Sequence, residues 1–240
     1  MPAPPTVPSW QLAFHDRVDP HRRGSSVSDI ILGGQDAIVN ILGVLLGVAA
    51  ASDSKRIVFA AGLATAFAES LSMAAVAYTT NVAQGDVYRS EREREYRHVR
   101  TVPAVEREEV RQLYARKGFD GELLDRIVDR ITADPDVWVA VMMTEEHRLT
   151  PIDRARALRS ALVVGLASIV GSLLPLVPFL FLGTHAAAWA TVVVAAGMLF
   201  GVGAYKARAT MGRPWKSGLE MTGIGMASAL AGWAVGALFR

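Results

Sequence analysis

The sequence predicts an all-α integral membrane protein with five membrane-crossing helices and a water-facing helical module inserted between the second and the third. Three observations lead there. Hydrophobic residues make up 51% of the chain and mean hydropathy is positive at +0.27, yet 20% of residues are charged. The two classes are kept apart: residues 81–157 hold 16 of the 23 acids and 14 of the 25 bases. A water-soluble domain interleaves its charges with its apolar residues, so this segregation marks membrane segments joined to an aqueous module. The remaining sequence breaks into apolar runs of 20 residues or more, the length a bilayer core demands.

Taken in order, residues 1–28 are Pro-rich and then basic (Arg17, Arg22, Arg23), which reads as a flexible cytosolic tail. Residues 30–51 form the first apolar run, interrupted by Gln35, Asp36 and Asn40; as a helix it reaches about 33 Å. A signal peptide ending at Ala51-Ser52 is the weaker reading, because a long tail precedes the run and a carboxylate interrupts it. Residues 57–79, 158–182, 186–205 and 218–239 supply four more spans. Pro175 and Pro178 should bend or break the third, since each removes a backbone donor. The chain thus divides into a tail (1–28), spans one and two (29–80), the module (81–157) and spans three to five (158–240). Gly43 with Gly47, and Gly197 with Gly201, are small residues four apart that permit close helix approach.

The loop after span four carries Lys206, Arg208, Arg213 and Lys216, whereas the loop after span three carries no Lys or Arg. Positive charge favours the cytosolic side. The N-terminus and the module are therefore expected in the cytosol and the C-terminus outside. The Ala- and Arg-rich composition points to a bacterium, hence to the inner membrane.

Within the module, span two should continue as a helix to about Val99. Thr101 and Pro103 stop it and start a second helix that ends at Gly118. Asp120 is placed to cap a third, and Asp134-Pro135 to open a fourth running to about Leu149. Apolar stripes (Val110, Leu113 and Tyr114; Leu123, Leu124, Ile127 and Val128) predict a packed bundle.

A net charge of +2 and the lack of a basic stripe give no case for nucleic acid, and the absence of Cys excludes disulfides and thiolate chemistry. Metal must then be held by carboxylate, imidazole, thioether or backbone oxygen. Asp36 lies inside span one, where a carboxylate costs about 2.5–3.5 kcal/mol, so a functional partner is expected. Asn40 is one turn beyond it. On span two, Glu69 and Met73 lie one turn apart at similar depth. These four residues form a candidate transport path. Glu220, near the start of span five, reads as a headgroup-region residue.

In the module, Glu95 with His98, Glu106 with Glu109, and Met142 and Met143 with Glu146 are three or four residues apart and project together on a helix. Such pairs are common on solvated faces, and interleaved Arg92, Arg94, Arg97, Arg107 and Arg111 offer ion pairs instead. Adjacent Met residues are ordinarily core filler. Together, carboxylate, thioether and imidazole suit Fe²⁺, Mn²⁺, Zn²⁺ or Co²⁺ better than Mg²⁺ or Ca²⁺.

These elements resemble the vacuolar iron transporter family. The likeness lies in Gln35-Asp36-Ala37-Ile38-Val39-Asn40-Ile41-Leu42-Gly43, Ser72-Met73, Val102-Pro103 followed by Glu106 and Glu109, Met142-Met143 with Glu146, and Leu174-Pro175-Leu176-Val177-Pro178. It covers about residues 28–240 in order. The resemblance implies a homodimer of five-span subunits with the ion path between the first spans. It also implies export of Fe²⁺ from the cytosol in exchange for protons. Asp36 and Met73 then match the membrane site, and Glu95, Glu106, Glu109, Met142, Met143 and Glu146 the module's ligands. His98 stands where the family usually has Glu. Thr65 stands where relatives place a second-span Glu, while Glu69 lies one turn further on.

The expected activity is proton-coupled transport of Fe²⁺ or Mn²⁺ across the lipid bilayer, with no enzymatic reaction and no resident cofactor. The alternative is a membrane-anchored metal sensor or storage protein without flux. A ferroxidase is disfavoured because the Glu-x-x-His spacing of di-iron bundles occurs only once, at Glu95 and His98.

Overall fold

A computed structural model describes residues 25–210 and 212–239. Every regular element among them is helical: α1 (Ser25–Ala51), α2 (Lys55–Thr101), α3 (Pro103–Ala115), α4 (Gly121–Thr132), α5 (Pro135–Val141) with a π-helical turn (Met142–Glu146), α6 (Arg154–Leu176), α7 (Pro178–Phe181), α8 (Thr184–Ala209) and α9 (Pro214–Ala237). Residues 1–24 of the expected tail lie outside the described residues, and residues 25–28 belong to α1.

Four helical stretches are long and apolar enough to cross a membrane: Val27–Ala51, Lys55–Thr101, Arg154–Phe181 and Thr184–Ala209. α9, at 24 residues, has the length as well, but its glycines, Thr222, Ser228 and Glu220 dilute its apolar character, and it falls outside that set. Contacts divide the chain into two compact units, residues 1–73 with 162–240, and residues 74–161.

In the first unit α9 packs along α1 and α8. The α1–α9 seam runs through glycines. A Cβ on Gly47 would stand 2.9 Å from the Gly232 carbonyl oxygen, and one on Gly232 or Gly236 would overlap the carbonyl of Gly43 or Gly47. Ser228 Oγ donates across the same seam to the Val39 carbonyl at 3.1 Å. The Gly43/Gly47 pair is therefore spent inside the protomer, whereas Gly197 and Gly201 meet nothing within 4 Å. One apolar core gathers Ile41, Leu45, Val58, Leu176 and Phe179; a second gathers Ile38, Leu42, Leu199 and Met221.

α6 passes through Pro175 and ends at Leu176, and α7 starts afresh at Pro178. The break leaves the Pro175 carbonyl to the buried Thr191 hydroxyl, which donates to it at 2.7 Å. Beyond the break, Lys55 Nζ donates to the Leu180 carbonyl at 3.0 Å and Thr184 Oγ1 to that of Asp53 at 2.8 Å.

In the second unit, Val99, Val110, Leu113, Leu124, Val128 and Trp138 share a core with Met142 and Met143. The α3 helix gives way to a turn closed by Gly118 at φ +90°, a left-handed conformation that glycine takes without steric cost. Asp120 stands at the start of α4 but makes no side-chain cap, whereas the Asp134 carboxylate accepts from the Asp136 amide at 2.9 Å. The last helix of the module leaves α geometry at Met142: His147 N–H reaches the Met142 carbonyl, five residues back, at 3.2 Å. Arg148, at φ +54°, terminates it.

The glycine seam carries a direct expectation. Gly236→Val should destabilise the purified protein by roughly 1–3 kcal/mol through overpacking. Gly197→Val, at an open position, should cost no more than about 0.5 kcal/mol. Thermal unfolding in detergent followed by tryptophan fluorescence checks both.

Candidate metal sites

Two groups of carboxylates stand out, one in each unit. In the first, α1 presents Asp36 and Asn40 one turn apart, and α2 presents Glu69. The Asn40 side-chain amide donates to Glu69 Oε1 at 2.6 Å and, more loosely, to Asp36 Oδ2 at 3.4 Å. One amide nitrogen thus bridges two carboxylates. The other Glu69 oxygen, Oε2, is buried and has no hydrogen-bond partner. Asp36 and Asn40 are exposed on the protomer, and Glu69 and Met73 are half-buried. Met73 stands one helical turn beyond Glu69.

Depth behind this group is set by close packing. The Ser70 hydroxyl, next to Glu69, bonds the Ala66 carbonyl at 2.6 Å and Ser168 Oγ at 3.1 Å. That pair fixes α2 against α6 and with it the direction of Glu69.

The second group is built by the turn at Thr101-Val102-Pro103. Val102 N–H closes onto the His98 carbonyl at 2.8 Å, and Pro103 begins α3 without needing a donor. The chain doubles back, and Glu95 on α2 meets Glu106 on α3. Ligand atoms of Glu95, His98 and Glu106 all lie within 4.8 Å of one another. Both carboxylates are only 3% exposed, so their environment is the protein's and not water's. His98 Nδ1 lies 3.1 Å from Glu106 Oε1. Sequence spacing pairs His98 with Glu95; in the fold it faces Glu106 across the turn.

The structure adds His147, whose Nε2 lies 3.0 Å from Glu95 Oε1. An α-helical reading of residues 135–149 hides it, because the π turn widens the helix by one residue and shifts the register beyond Met143. An imidazole beside Glu146 in an acidic module is the one signal of it that the sequence carries.

The arginines go elsewhere. Arg107 pairs with Asp129 and donates to Thr132 Oγ1 at 2.7 Å; Arg111 pairs with Asp125; Arg94 pairs with Glu91 at 2.9 Å. Arg92 donates to the Tyr96 hydroxyl at 3.1 Å. Among the described residues, Glu95, Glu106, Glu109 and Glu146 make no ion pair with Lys or Arg. Oε2 of Glu95 and Oε2 of Glu106 are buried without a hydrogen-bond partner.

Electrostatics follow from that arrangement. Burial, then the charges of Glu95 and Glu109, push the Glu106 carboxyl up to about 7. Burial and the charge of Glu109 raise Glu146 as well. For His147, burial lowers the value, but the hydrogen bond and charge of Glu95 outweigh it and leave the imidazole raised. Carboxylates gathered this closely, with no Lys or Arg ion pair among the described residues, suit a divalent cation. Met142 and Met143 are fully buried in the module's apolar core.

Membrane-length apolar helices and an all-helical fold make this an integral membrane protein of the all-α class. Residues 27–237 match the family model described as the VIT family. The chain is 35% identical over 211 residues to "Vacuolar iron transporter 2" of Oryza sativa subsp. japonica, covering 87% of this chain and 85% of that protein. It is 33% identical over 211 residues to "Vacuolar iron transporter 1" of Arabidopsis thaliana, covering 87% and 84%. Over 242 residues it is 25% identical to "Vacuolar iron transporter" of Plasmodium falciparum (isolate 3D7), covering 95% and 89%. The chain belongs to the VIT family. Its relatives carry the names of transporters, not of enzymes, in line with the sequence reading.

The raised groups fix the sign of a pH effect on the metal-free protein. A group whose pKa is higher folded than unfolded stabilises the fold fully below its unfolded value, and loses that contribution as pH rises through the folded value. Glu106, Glu146 and His147 all act in this sense. The module should therefore unfold more easily as pH climbs from about 4.5 to about 7, with the Glu106 contribution falling most steeply midway between those values. Thermal unfolding across that range checks it, and Glu106→Gln should flatten the profile.

Proposed function

We propose that this protein is a proton-coupled divalent-metal transporter that moves Fe²⁺, and Mn²⁺ by the same route, out of the cytosol. The observation that carries the reading is the Asp36–Asn40–Glu69 group, two carboxylates bridged by one amide on apolar membrane-length helices, with one oxygen unpartnered. A carboxylate facing lipid costs about 2.5–3.5 kcal/mol. Asp36 and Asn40, exposed on the single protomer, call for a second surface to cover them. A second copy of the chain supplies it, and the homodimer then lines the path with two Asp36, two Glu69 and the Met73 thioethers. Arrival of a metal ion displaces protons from these carboxylates, so metal and proton move in exchange.

In this reading α9 is the fifth span, the N-terminus and the module are cytosolic, and the C-terminus lies outside. The loop that carries Lys206, Arg208, Arg213 and Lys216 supports that orientation. The membrane is the bacterial inner membrane. Glu95, His98, Glu106, Glu109 and Glu146 gather cytosolic metal, and Met142 and Met143 stand behind them as soft donors that a rearrangement of the core would expose. Relatives named as iron transporters support iron as the transported ion.

Purified protein in vesicles with an imposed pH gradient should accumulate Fe²⁺ and Mn²⁺, and Asp36→Ala should reduce the initial rate at least tenfold. Flux unaffected by Asp36→Ala overturns the assigned path. Metal binding without any flux favours the sensor or storage reading.

A further inference from the structure

Two imidazoles stand against the module's buried carboxylates, and they are not equivalent. His98 Nδ1 faces Glu106 Oε1 at 3.1 Å, and His98 belongs with Glu95 and Glu106 to the group whose ligand atoms lie within 4.8 Å of one another. His147 stands outside that group and touches Glu95 Oε1 at 3.0 Å. Behind both contacts, Glu95 and Glu106 are 3% exposed, and each keeps an Oε2 with no donor. A buried acceptor left without a donor is destabilising, and more so when charged. Arg107 and Arg111 bring no relief, being engaged with Asp129 and Asp125.

We propose that Glu95, His98 and Glu106 form a mixed nitrogen–oxygen seat for one divalent ion, in which His98 sets a preference for Zn²⁺ and Co²⁺ over Mn²⁺ and His147 is the positioning residue that holds Glu95. The inference rests on the module being the metal-collecting part of the protein. Neutral imidazole is a better donor to Zn²⁺ and Co²⁺, whereas Mn²⁺ is suited by oxygen. A tetrahedral Zn²⁺ with bonds of about 2.0–2.2 Å holds its ligand atoms about 3.3 Å apart. His98, half-exposed, has room to move toward the two buried carboxylates. Loading replaces the His98–Glu106 hydrogen bond with a bond from each residue to the ion, and the imidazole proton moves to Nε2.

His147 works through Glu95. In the proposed seat His147 Nε2 is the donor on that contact and Glu95 Oε1 the acceptor. Donation to Oε1 fixes the carboxylate plane and leaves Oε2 for the ion. Outer partners of this kind are worth about 10–100-fold in metal affinity.

The test uses the full-length protein in detergent with Asp36→Ala in every variant, so that the membrane group does not compete, and reads Zn²⁺ and Mn²⁺ affinities by competition with a fluorescent chelator. His98→Glu should narrow the ratio of Zn²⁺ to Mn²⁺ affinity at least tenfold while Mn²⁺ binding is kept, and His98→Gln should narrow it in the same sense. His147→Ala should weaken both metals by a similar factor of about 10–100 with the ratio unchanged, and His147→Gln, whose amide donates to the same oxygen, should recover most of the loss. A ratio indifferent to both His98 variants overturns the selectivity assignment and leaves metal collection standing. A ratio shifted by His147→Ala as by His98→Glu makes His147 a direct ligand and overturns its positioning role. No binding of either metal by the parent chain removes the metal-collecting reading itself.

Discussion

Glu95 and Glu106 each bury a carboxylate with one oxygen turned to an imidazole and the other to no donor at all. A protein interior tolerates such a group only when it is neutralised, paired or held ready for a cation. Arginine is the ordinary remedy, and the module is rich in it. The fold nevertheless commits Arg107 and Arg111 to aspartates on α4, where they tie α3 to its neighbour. The acids on the other side of α3 are left to repel one another. The same solution recurs in the membrane-length helices, where Asn40 bridges Glu69 and Asp36 with an amide that carries no charge of its own. An amide orients a carboxylate; a guanidinium would have occupied it.

Rigid surroundings keep these groups from escaping to solvent. The module's core packs Val110, Val128, Trp138 and both methionines behind the acids. In the other unit, backbone-to-backbone contact at Gly47 and Gly236 sets α1 against α9, and a pair of serines sets α2 against α6. Each is a close approach that a larger side chain would prevent.

Much of this is legible in the chain. Long apolar runs mark the helices α1, α2, α6 and α8, and Pro103, Pro135 and Pro178 mark helix starts because proline lacks the N–H that a first turn has to spare. The pairing of acids at one-turn spacing locates Glu106 and Glu109 on one face. Partner choice is not legible, since each arginine has several acids within helical reach and only the tertiary fold decides among them. His147 is hidden for a different reason: a π turn changes the register by one residue, and no residue type announces it. Gly43 and Gly47 declare a close approach without saying to which helix. α9 is clear as a helix, but its small and polar residues leave it less apolar than the other four.

The open face at Gly197 and Gly201 on α8 has a practical consequence. Because the chain contains no cysteine, a single thiol introduced there would be its sole attachment point for a spin label or fluorophore. Among the described residues a side chain at either position would meet no neighbouring helix within 4 Å of its Cβ, so a probe would report on what approaches from outside, be it acyl chain or companion subunit, while the carboxylates stay as they are.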